Sequence, residues 1–502
     1  MSRSEPQRAR AAAVVPRLPD GRVLVGARTL HARSWPGTLA FPGGGCEDSD
    51  DALPLASLPT PGRGDRSRAC ALRELGEETG MWLLCRAGGA PASDEARARF
   101  AQALVSERLP IARALSDSAL VLDDRALVPL VLWRTWDGRF TVQQFLLPLD
   151  EVPPALPVLL DELTDLQWRL PSDLRRAWRE GAAFLIAPIR RVVVELARQE
   201  KLGADEASIV RALSAEPNAP ERARSDLCEG VCIVSARSPT LPPATHTNAV
   251  LLGSGDALLV DPATPWPDEQ ERFDRHVQAS LGPHRVAAIV CTHHHIDHVG
   301  DVARLKKKLA VPVWAHRETQ ARVDFAVDRL LDDGEVLVCP GDPERRFRVV
   351  FTPGHARGHI CLFEESTRLL VAGDMVAGVG SILIDPPEGH MGTYLASLER
   401  LIALEPGGLV PSHGPLLVDG KARLQQQLAH RALRQAAIEG KLGASGVTGL
   451  TVRAIVDAVY GSDTPSSMLP FAERSVLAAL ELAAERGLAR ERDGAWYAAP
   501  SR

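Results

Sequence analysis

Apolar residues in this chain recur in short runs that end on one polar or charged residue. That is the pattern of buried strands delivering side chains to a shared edge. Val286 to Cys291 predicts such a strand, and Val299 to Leu309 predicts the helix after it. Short apolar runs return at Val349 to Phe351, Leu369 to Ala372 and Leu409 to Pro411. Gly230 to Val234, Ala249 to Gly253 and Ala257 to Asp261 predict the strands that open the same sheet. Upstream, Ala11 to Leu18 and Val23 to Ala27 predict two strands around the turn Pro19-Asp20-Gly21. Thr141 to Asp150 predicts a later strand, and Glu162 to Trp168 with the helix Ile189 to Gln199 closes that domain. Lys201 to Asp226 predicts a helix plus linker. Gly420 to Glu439 predicts a long polar helix. Beyond a glycine-rich break, Val452 to Tyr460 and Ala472 to Arg486 predict helices, and Leu488 to Ala498 a hairpin around Arg492-Asp493-Gly494.

The predicted strand Val286 to Cys291 runs into Thr292-His293-His294-His295-Ile296-Asp297-His298. The cluster therefore sits on a loop leaving the C-terminal end of a strand, where α/β folds place their chemistry. Neutral imidazole and carboxylate are ligands that a borderline ion such as zinc prefers. The plain alternative is a set of histidines in a surface loop. One loop cannot complete two metal sites, but other strand ends supply more candidates. His355 follows Val349 to Phe351, Asp374 follows Leu369 to Ala372, and His413 follows Leu409 to Pro411.

The run HxHxDH followed by His, Asp and His at such strand ends resembles the metallo-β-lactamase superfamily, over roughly residues 226 to 425. The resemblance implies an αβ/βα sandwich. It implies that His293, His295 and His355 hold one metal, that Asp297, His298 and His413 hold the other, and that Asp374 bridges them. Asp297 is also expected to act in catalysis. Asp261 stands where the family often has an aspartate that orients a ligand imidazole. His294 and His359 are not assigned as ligands, and His359 is expected to line the cleft. His246 and His276 are expected to be surface histidines. Two zinc or other transition-metal ions would convert a shared water to hydroxide near neutral pH. The superfamily cleaves lactams, thioesters, lactones and phosphodiesters, so the fold does not fix the substrate.

A second constellation lies near the N-terminus. In Arg73-Glu74-Leu75-Gly76-Glu77-Glu78-Thr79-Gly80-Met81, the three glutamates share one helical face. Such a face is either a solvated acidic surface or a magnesium site. With the preceding Phe41-Pro42-Gly43-Gly44-Gly45, the stretch resembles the Nudix box and implies an α/β/α sandwich. By that resemblance Glu74, Glu77 and Glu78 hold Mg2+ or Mn2+, and Arg73 orients a glutamate. The loop from Cys46 to Gly64 is longer than the family pattern by about fifteen residues, and Asp65 is expected at the upstream glutamate position. Arg28-Thr29, Arg33, Gly37 and Phe41-Pro42-Gly43-Gly44 resemble the further signature of coenzyme A diphosphatases. Arg28 and Arg33 would then grip substrate phosphates bidentately. The alternative is two surface arginines in an arginine-rich chain.

The whole is expected to be an α/β and α+β multidomain protein. The expected domains are a Nudix domain at 1–200, a linker at 201–225, a metallo-hydrolase at 226–440 and a small winged helix at 441–502. The tail pattern of helix, helix and wing resembles a winged-helix module, and its position after His413 resembles the lactamase-β-like RNA endonuclease branch. Its second helix carries Glu473, Glu481 and Glu485 against Arg474 and Arg486, which is poor for gripping phosphate. A lid, a dimer contact or a packing role is the competing reading.

Composition narrows these choices. A length of 502 residues suits two to four domains, and a net charge of −6 argues against bulk polyanion binding. The eight cysteines form no CxxC pair, which suits a reducing cytoplasm. No run approaches a membrane span, and Ala11 to Val15 is too short for a signal core. The expected function is a bifunctional metal-dependent hydrolase. One site would cleave a nucleoside diphosphate derivative such as coenzyme A or its thioesters, and the other a phosphodiester or thioester. Expected partners are these small molecules or RNA, with no membrane. The alternative is a ligand-responsive nucleic-acid-binding regulator that uses the first domain as a sensor. The oligomeric state is not legible in the sequence.

Overall fold

The computed structural model describes residues 9–30, 32, 35–58, 65–135, 140–160, 162–218, 223–446, 448–461 and 465–499. They fall into two compact units, Met1–Cys228 and Glu229–Arg502.

In the first unit, the strand Ala9–Arg17 lies in the middle of the sheet. It runs parallel to Phe140–Pro148 and antiparallel to the short strand Gly43–Gly45. Strand period two sends neighbouring residues to opposite faces. Val14 joins the core with Leu72, Leu75 and Phe145, whereas Val15 joins the core with Trp178, Val193 and Leu196. Both faces must therefore be covered. The helix Arg66–Thr79 covers one, and Pro171–Arg179 and Ala187–Leu202 cover the other. This is the expected α/β/α sandwich. The stretch 201–226 includes a helix, Glu206–Ser214, whose Ile209 and Leu213 are buried in that second core.

The second unit contains two sheets. The first runs in the order Val231–Arg237, His246–Leu252, Ala257–Val260, Val286–Cys291, Val313–Ala315 and Arg329–Leu330. Phe273 and Val277 of the helix Pro267–Leu281 pack on its outer face. The second sheet runs from Val336–Cys339 through Arg345–Phe351, Ile360–Glu364, Leu369–Gly373 and Gly408–Pro411 to Leu417–Val418. Tyr394 and Leu398 of the helix Met391–Ala403 cover it. The N–H of Asn248 donates to the Ser412 carbonyl at 2.8 Å, and that of Ile360 to the Thr292 carbonyl at 2.9 Å. These bonds join the sheets at the strand ends that carry the histidines.

One predicted helix is interrupted. In place of a continuous Val299 to Leu309, a single turn Ile296–Val299 precedes the helix Val302–Leu309. A Cβ at Gly300, between them, would lie 2.5 Å from the Ala263 carbonyl oxygen. Glycine is needed for that close pass.

The tail folds as the helices Val452–Tyr460 and Leu469–Glu485 and the hairpin of Ala489–Arg492 with Ala495–Ala498. Ile438 and Leu442 of the long helix Gly420–Ala444 share its core with Val476, Leu480 and Trp496. The opposite side of Leu469–Glu485 is also occupied. Ala478 and Leu482 are buried with Met391 and Leu398, Arg474 pairs with Asp385, and His390 Nε2 lies 2.7 Å from Glu485 Oε1. The charged residues of this helix are thus partly spent on the core of the second unit, as a packing role requires. Among the described residues no helix is long and apolar enough to cross a membrane.

Candidate functional site

Seven candidate ligands from four strand ends and their loops converge in the second unit. His293 Nε2 and His355 Nε2 lie 3.0 and 2.9 Å from His295 Nδ1, so three ring nitrogens face one point. Asp374 stands between this group and a second. Its Oδ2 is 3.5 Å from His355 Nε2, and its Oδ1 is 3.5 Å from both His298 Nε2 and His413 Nε2. Asp297 Oδ2 is 3.4 Å from His413 Nε2. One carboxylate therefore addresses two separate clusters with its two oxygens, as a bridging ligand must.

The opposite ring nitrogens are fixed from outside. Nδ1 of His355 faces the Leu383 carbonyl at 2.8 Å, and Nδ1 of His413 faces the His246 carbonyl at 3.0 Å. Nδ1 of His293 lies 3.0 Å from the Thr292 hydroxyl, and Nδ1 of His298 lies 2.9 Å from Asp261 Oδ2. Such partners turn the inner nitrogen toward a metal. Asp261 also accepts from the Thr292 N–H at 2.7 Å and its hydroxyl at 2.6 Å. Asp261 reaches these groups from a left-handed backbone conformation, φ 49°.

His359 departs from expectation. It is fully buried and does not line the cleft. Its Nε2 accepts the Asp374 N–H at 3.0 Å, while its Nδ1 meets the Thr352 hydroxyl at 2.8 Å. It braces the Asp374 backbone from behind. No ligand spacing marked it; only the fold brings it beneath Asp374. His294 lies 3.8 Å from Glu388 and belongs to neither ligand group.

The donor set fits metal ions. His298 Nε2 and Asp374 Oδ1 are buried without a hydrogen-bond partner, a costly state unless something else binds there. Burial, then neighbouring imidazoles, pushes His293 well below its ordinary value and His295 down to about 3, so both present neutral nitrogens. His413 goes the other way. Burial opposes its charge, but the Asp297 and Asp374 carboxylates raise it to about 9. Without a cation, protons compensate these carboxylates; a bound dication would replace them.

In the first unit the acidic helix Arg66–Thr79 points its glutamates at the Gly43–Gly45 strand. A Cβ on Gly44 would lie 2.4 Å from Glu74 Oε1, so a glycine admits the carboxylate there. Glu78 Oε2 accepts the Gly43 N–H at 2.8 Å, and its Oε1 is buried without a partner. Burial raises Glu74 to about 7 and Glu78 to about 8. Arg73 Nη1 contacts Glu77 Oε2 at 2.7 Å and Glu74 Oε1 at 3.0 Å. These crowded, desolvated carboxylates with an orphaned oxygen suit a hard cation.

Asp65 is corrected by this geometry. It caps the helix by accepting the Ser67 N–H. The buried acid that meets Arg73 is Asp50, at 2.7 Å from Nε. Seven residues intervene between Asp65 and Arg73, so a count back from Arg73 stops short of the insertion at Asp65, whereas five residues intervene between Gly44 and Asp50. Leu53 and Leu55 anchor the described part of the enlarged loop in the core. Two further charges reach the cluster: Arg28 lowers Glu78, and Glu162, unassigned in the sequence, raises both Glu74 and Glu78. Arg33 lies outside the described residues.

Three family models match in order along the chain: NUDIX domain at residues 7–99, Metallo-beta-lactamase superfamily at 242–413, and Beta-lactamase associated winged helix domain at 451–496. A Beta-lactamase-like protein 2 homolog of Caenorhabditis elegans is 29% identical over 218 residues, covering 42% of this chain and 70% of that protein. An atrochrysone carboxyl ACP thioesterase of Cryptosporiopsis sp. (strain 8999) is 25% identical over 43% of this chain and 67% of its own. A hydroxyacylglutathione hydrolase of Bdellovibrio bacteriovorus is 36% identical over 34% of this chain and 64% of its own. Among solved structures, a metallo-beta-lactamase family protein of Thermus thermophilus aligns with a TM-score of 0.46 at 25% identity, over 54% of this chain and 98% of that one.

Proposed function

We propose that this chain, a hydrolase joining a NUDIX domain, a metallo-beta-lactamase domain and an associated winged helix in that order, carries two independent hydrolytic sites. In the metallo-beta-lactamase domain His293, His295 and His355 hold one metal, and Asp297, His298 and His413 a second, with Asp374 between. The observation that carries this reading is the split of Asp374, whose two oxygens face His355 on one side and His298 with His413 on the other. Zinc or another borderline transition metal suits this nitrogen-rich set. A metal pair there supplies Lewis acidity and a lowered pKa for water. The chain's own part is orientation: Asp261, Leu383 and the His246 carbonyl fix the imidazoles, and His359 fixes the bridge.

The substrate we favour for this site is a thioester. One relative is named a thioesterase and another a hydroxyacylglutathione hydrolase, and the winged-helix segment Leu469–Glu485 packs on the core, which leaves less of it for RNA. In the NUDIX domain Glu74, Glu77 and Glu78 hold Mg2+ or Mn2+. Arg73, braced by Asp50, positions Glu74 and Glu77. Arg28, whose charge reaches Glu78, would meet the phosphates of a nucleoside diphosphate derivative such as coenzyme A.

The test is a screen of the full-length protein against coenzyme A, other nucleoside diphosphate derivatives, acyl thioesters and RNA, with magnesium and zinc varied separately. Thioester cleavage that follows the transition metal and diphosphate cleavage that follows magnesium are expected. RNA cleavage without thioester cleavage would overturn the thioester assignment.

A further inference from the structure

A cavity of about 510 Å³ opens between the metallo-beta-lactamase core and the winged helix. Its walls are mostly apolar, with Ile382, Met391 and Leu395 on one side and Ile438, Phe471 and Ala479 on the other. That volume lies in the range of pockets that enclose a small organic molecule. Two guanidiniums break the apolar lining. Arg431 is only 8% exposed, lies over the Tyr394 ring, and leaves its Nε buried without a hydrogen-bond partner. Arg434 lies over the Tyr460 ring, with its Nη1 3.4 Å from the Val459 carbonyl oxygen. Among the described residues neither arginine meets a carboxylate. Nearby acids are engaged elsewhere, Asp385 by Arg474 and Glu439 by Gln435. A buried cation without a counter-charge is unfavourable, and an anion in the cavity would relieve it.

The cavity also abuts the histidine cluster. Its wall residue Leu383 gives the carbonyl that faces His355. Its wall residue Leu241 follows Thr240, whose hydroxyl is 3.3 Å from His413 Nε2. Two segments that touch the histidine cluster thus also form its walls.

We propose that the cavity holds the acyl group of the substrate, and that Arg431 and Arg434 bind a carboxylate carried on that acyl group away from the thioester. The site then selects acidic acyl thioesters of medium length. This rests on the thioester reading above. The apolar walls take the chain, and the guanidiniums pair with the remote carboxylate in a desolvated setting, where such contacts are strong.

The test compares hydrolysis of the octanedioyl monothioester and the octanoyl thioester of N-acetylcysteamine by the full-length, metal-loaded protein. It also measures calorimetric binding of octanoate, octyl phosphate and 1-octanol. The wild type should favour the acidic thioester by about tenfold or more in kcat/KM, as a charge-assisted contact implies. Octanoate should bind more tightly than either octyl phosphate or 1-octanol. Arg434→Met should remove both preferences, and Ser475→Trp, which fills the cavity, should weaken all binding while circular dichroism stays unchanged. Equal rates for the two thioesters, with octanoate bound no better than 1-octanol, would overturn the cavity assignment and leave the thioester reading standing. Tighter binding of octyl phosphate would overturn the carboxylate assignment. Arg434-dependent octanoate binding by a protein that cleaves no thioester would overturn the thioester reading and keep the cavity as a carboxylate site.

Discussion

Asp50 Oδ1 accepts a hydrogen bond from Arg73 Nε at 2.7 Å across a sequence separation of 23 residues. The same guanidinium reaches Glu74 and Glu77, so Asp50 sets the position from which Arg73 meets both carboxylates. Asp50→Ala should lower kcat/KM of the NUDIX site by about tenfold to a hundredfold, from a charge-assisted bond of roughly 1.5–3 kcal/mol. Asp65→Ala should instead cost about 0.5–2 kcal/mol of stability as a lost helix cap, with kinetics unchanged. Steady-state rates and urea unfolding of both variants separate the roles; a kinetic defect in Asp65→Ala with none in Asp50→Ala would reverse them.

His359 and Asp261 hydrogen-bond to the candidate ligands Asp374 and His298 from outside the two clusters. Loss of such a brace commonly weakens metal binding about tenfold to a hundredfold. His359→Phe leaves the buried Asp374 N–H without its acceptor, and Asp261→Asn disturbs Thr292 and His298 together. Competition with a chelator should show earlier metal loss in both variants. Wild-type retention in both would refute their role.

The two sites use different donor sets on separate compact units. Asp374→Ala should deplete the transition metal, read by elemental analysis, and abolish thioester cleavage while sparing diphosphate cleavage. Glu77→Gln should do the opposite. Loss of both activities in either well-folded variant would show coupling.

Burial lifts Glu74 from 4.5 to about 7 and Glu78 from 4.5 to about 8. Between those limits the folded protein binds more protons than the unfolded chain, so stability falls as pH rises through this window. Magnesium offsets the loss by binding the ionised carboxylates. The magnesium-induced shift in the first unit's melting temperature should therefore be larger at pH 8 than at pH 5. Equal shifts at both pH values would contradict this.

The sequence by itself determined where the candidate ligands fall, at strand ends and along one helical face. Apolar runs specify buried strands locally, and His293 to His298 or Glu74 to Glu78 are close enough in sequence for spacing to reveal a shared site. The helix, helix and wing order followed from the same periodicities, and both sandwiches from family resemblance. Tertiary structure decided whatever depends on distant segments. Spacing across a loop of unusual length pointed to Asp65, and only the tertiary structure buried Asp50 against Arg73 and left Asp65 capping a helix. His359 has no motif, because its role comes from a turn that stacks it behind Asp374. Arg431 and Arg434 read as ordinary residues of a polar helix until the winged helix closed an apolar wall around them. Burial and pairing arise from contacts between segments far apart in the chain, and no local spacing encodes them.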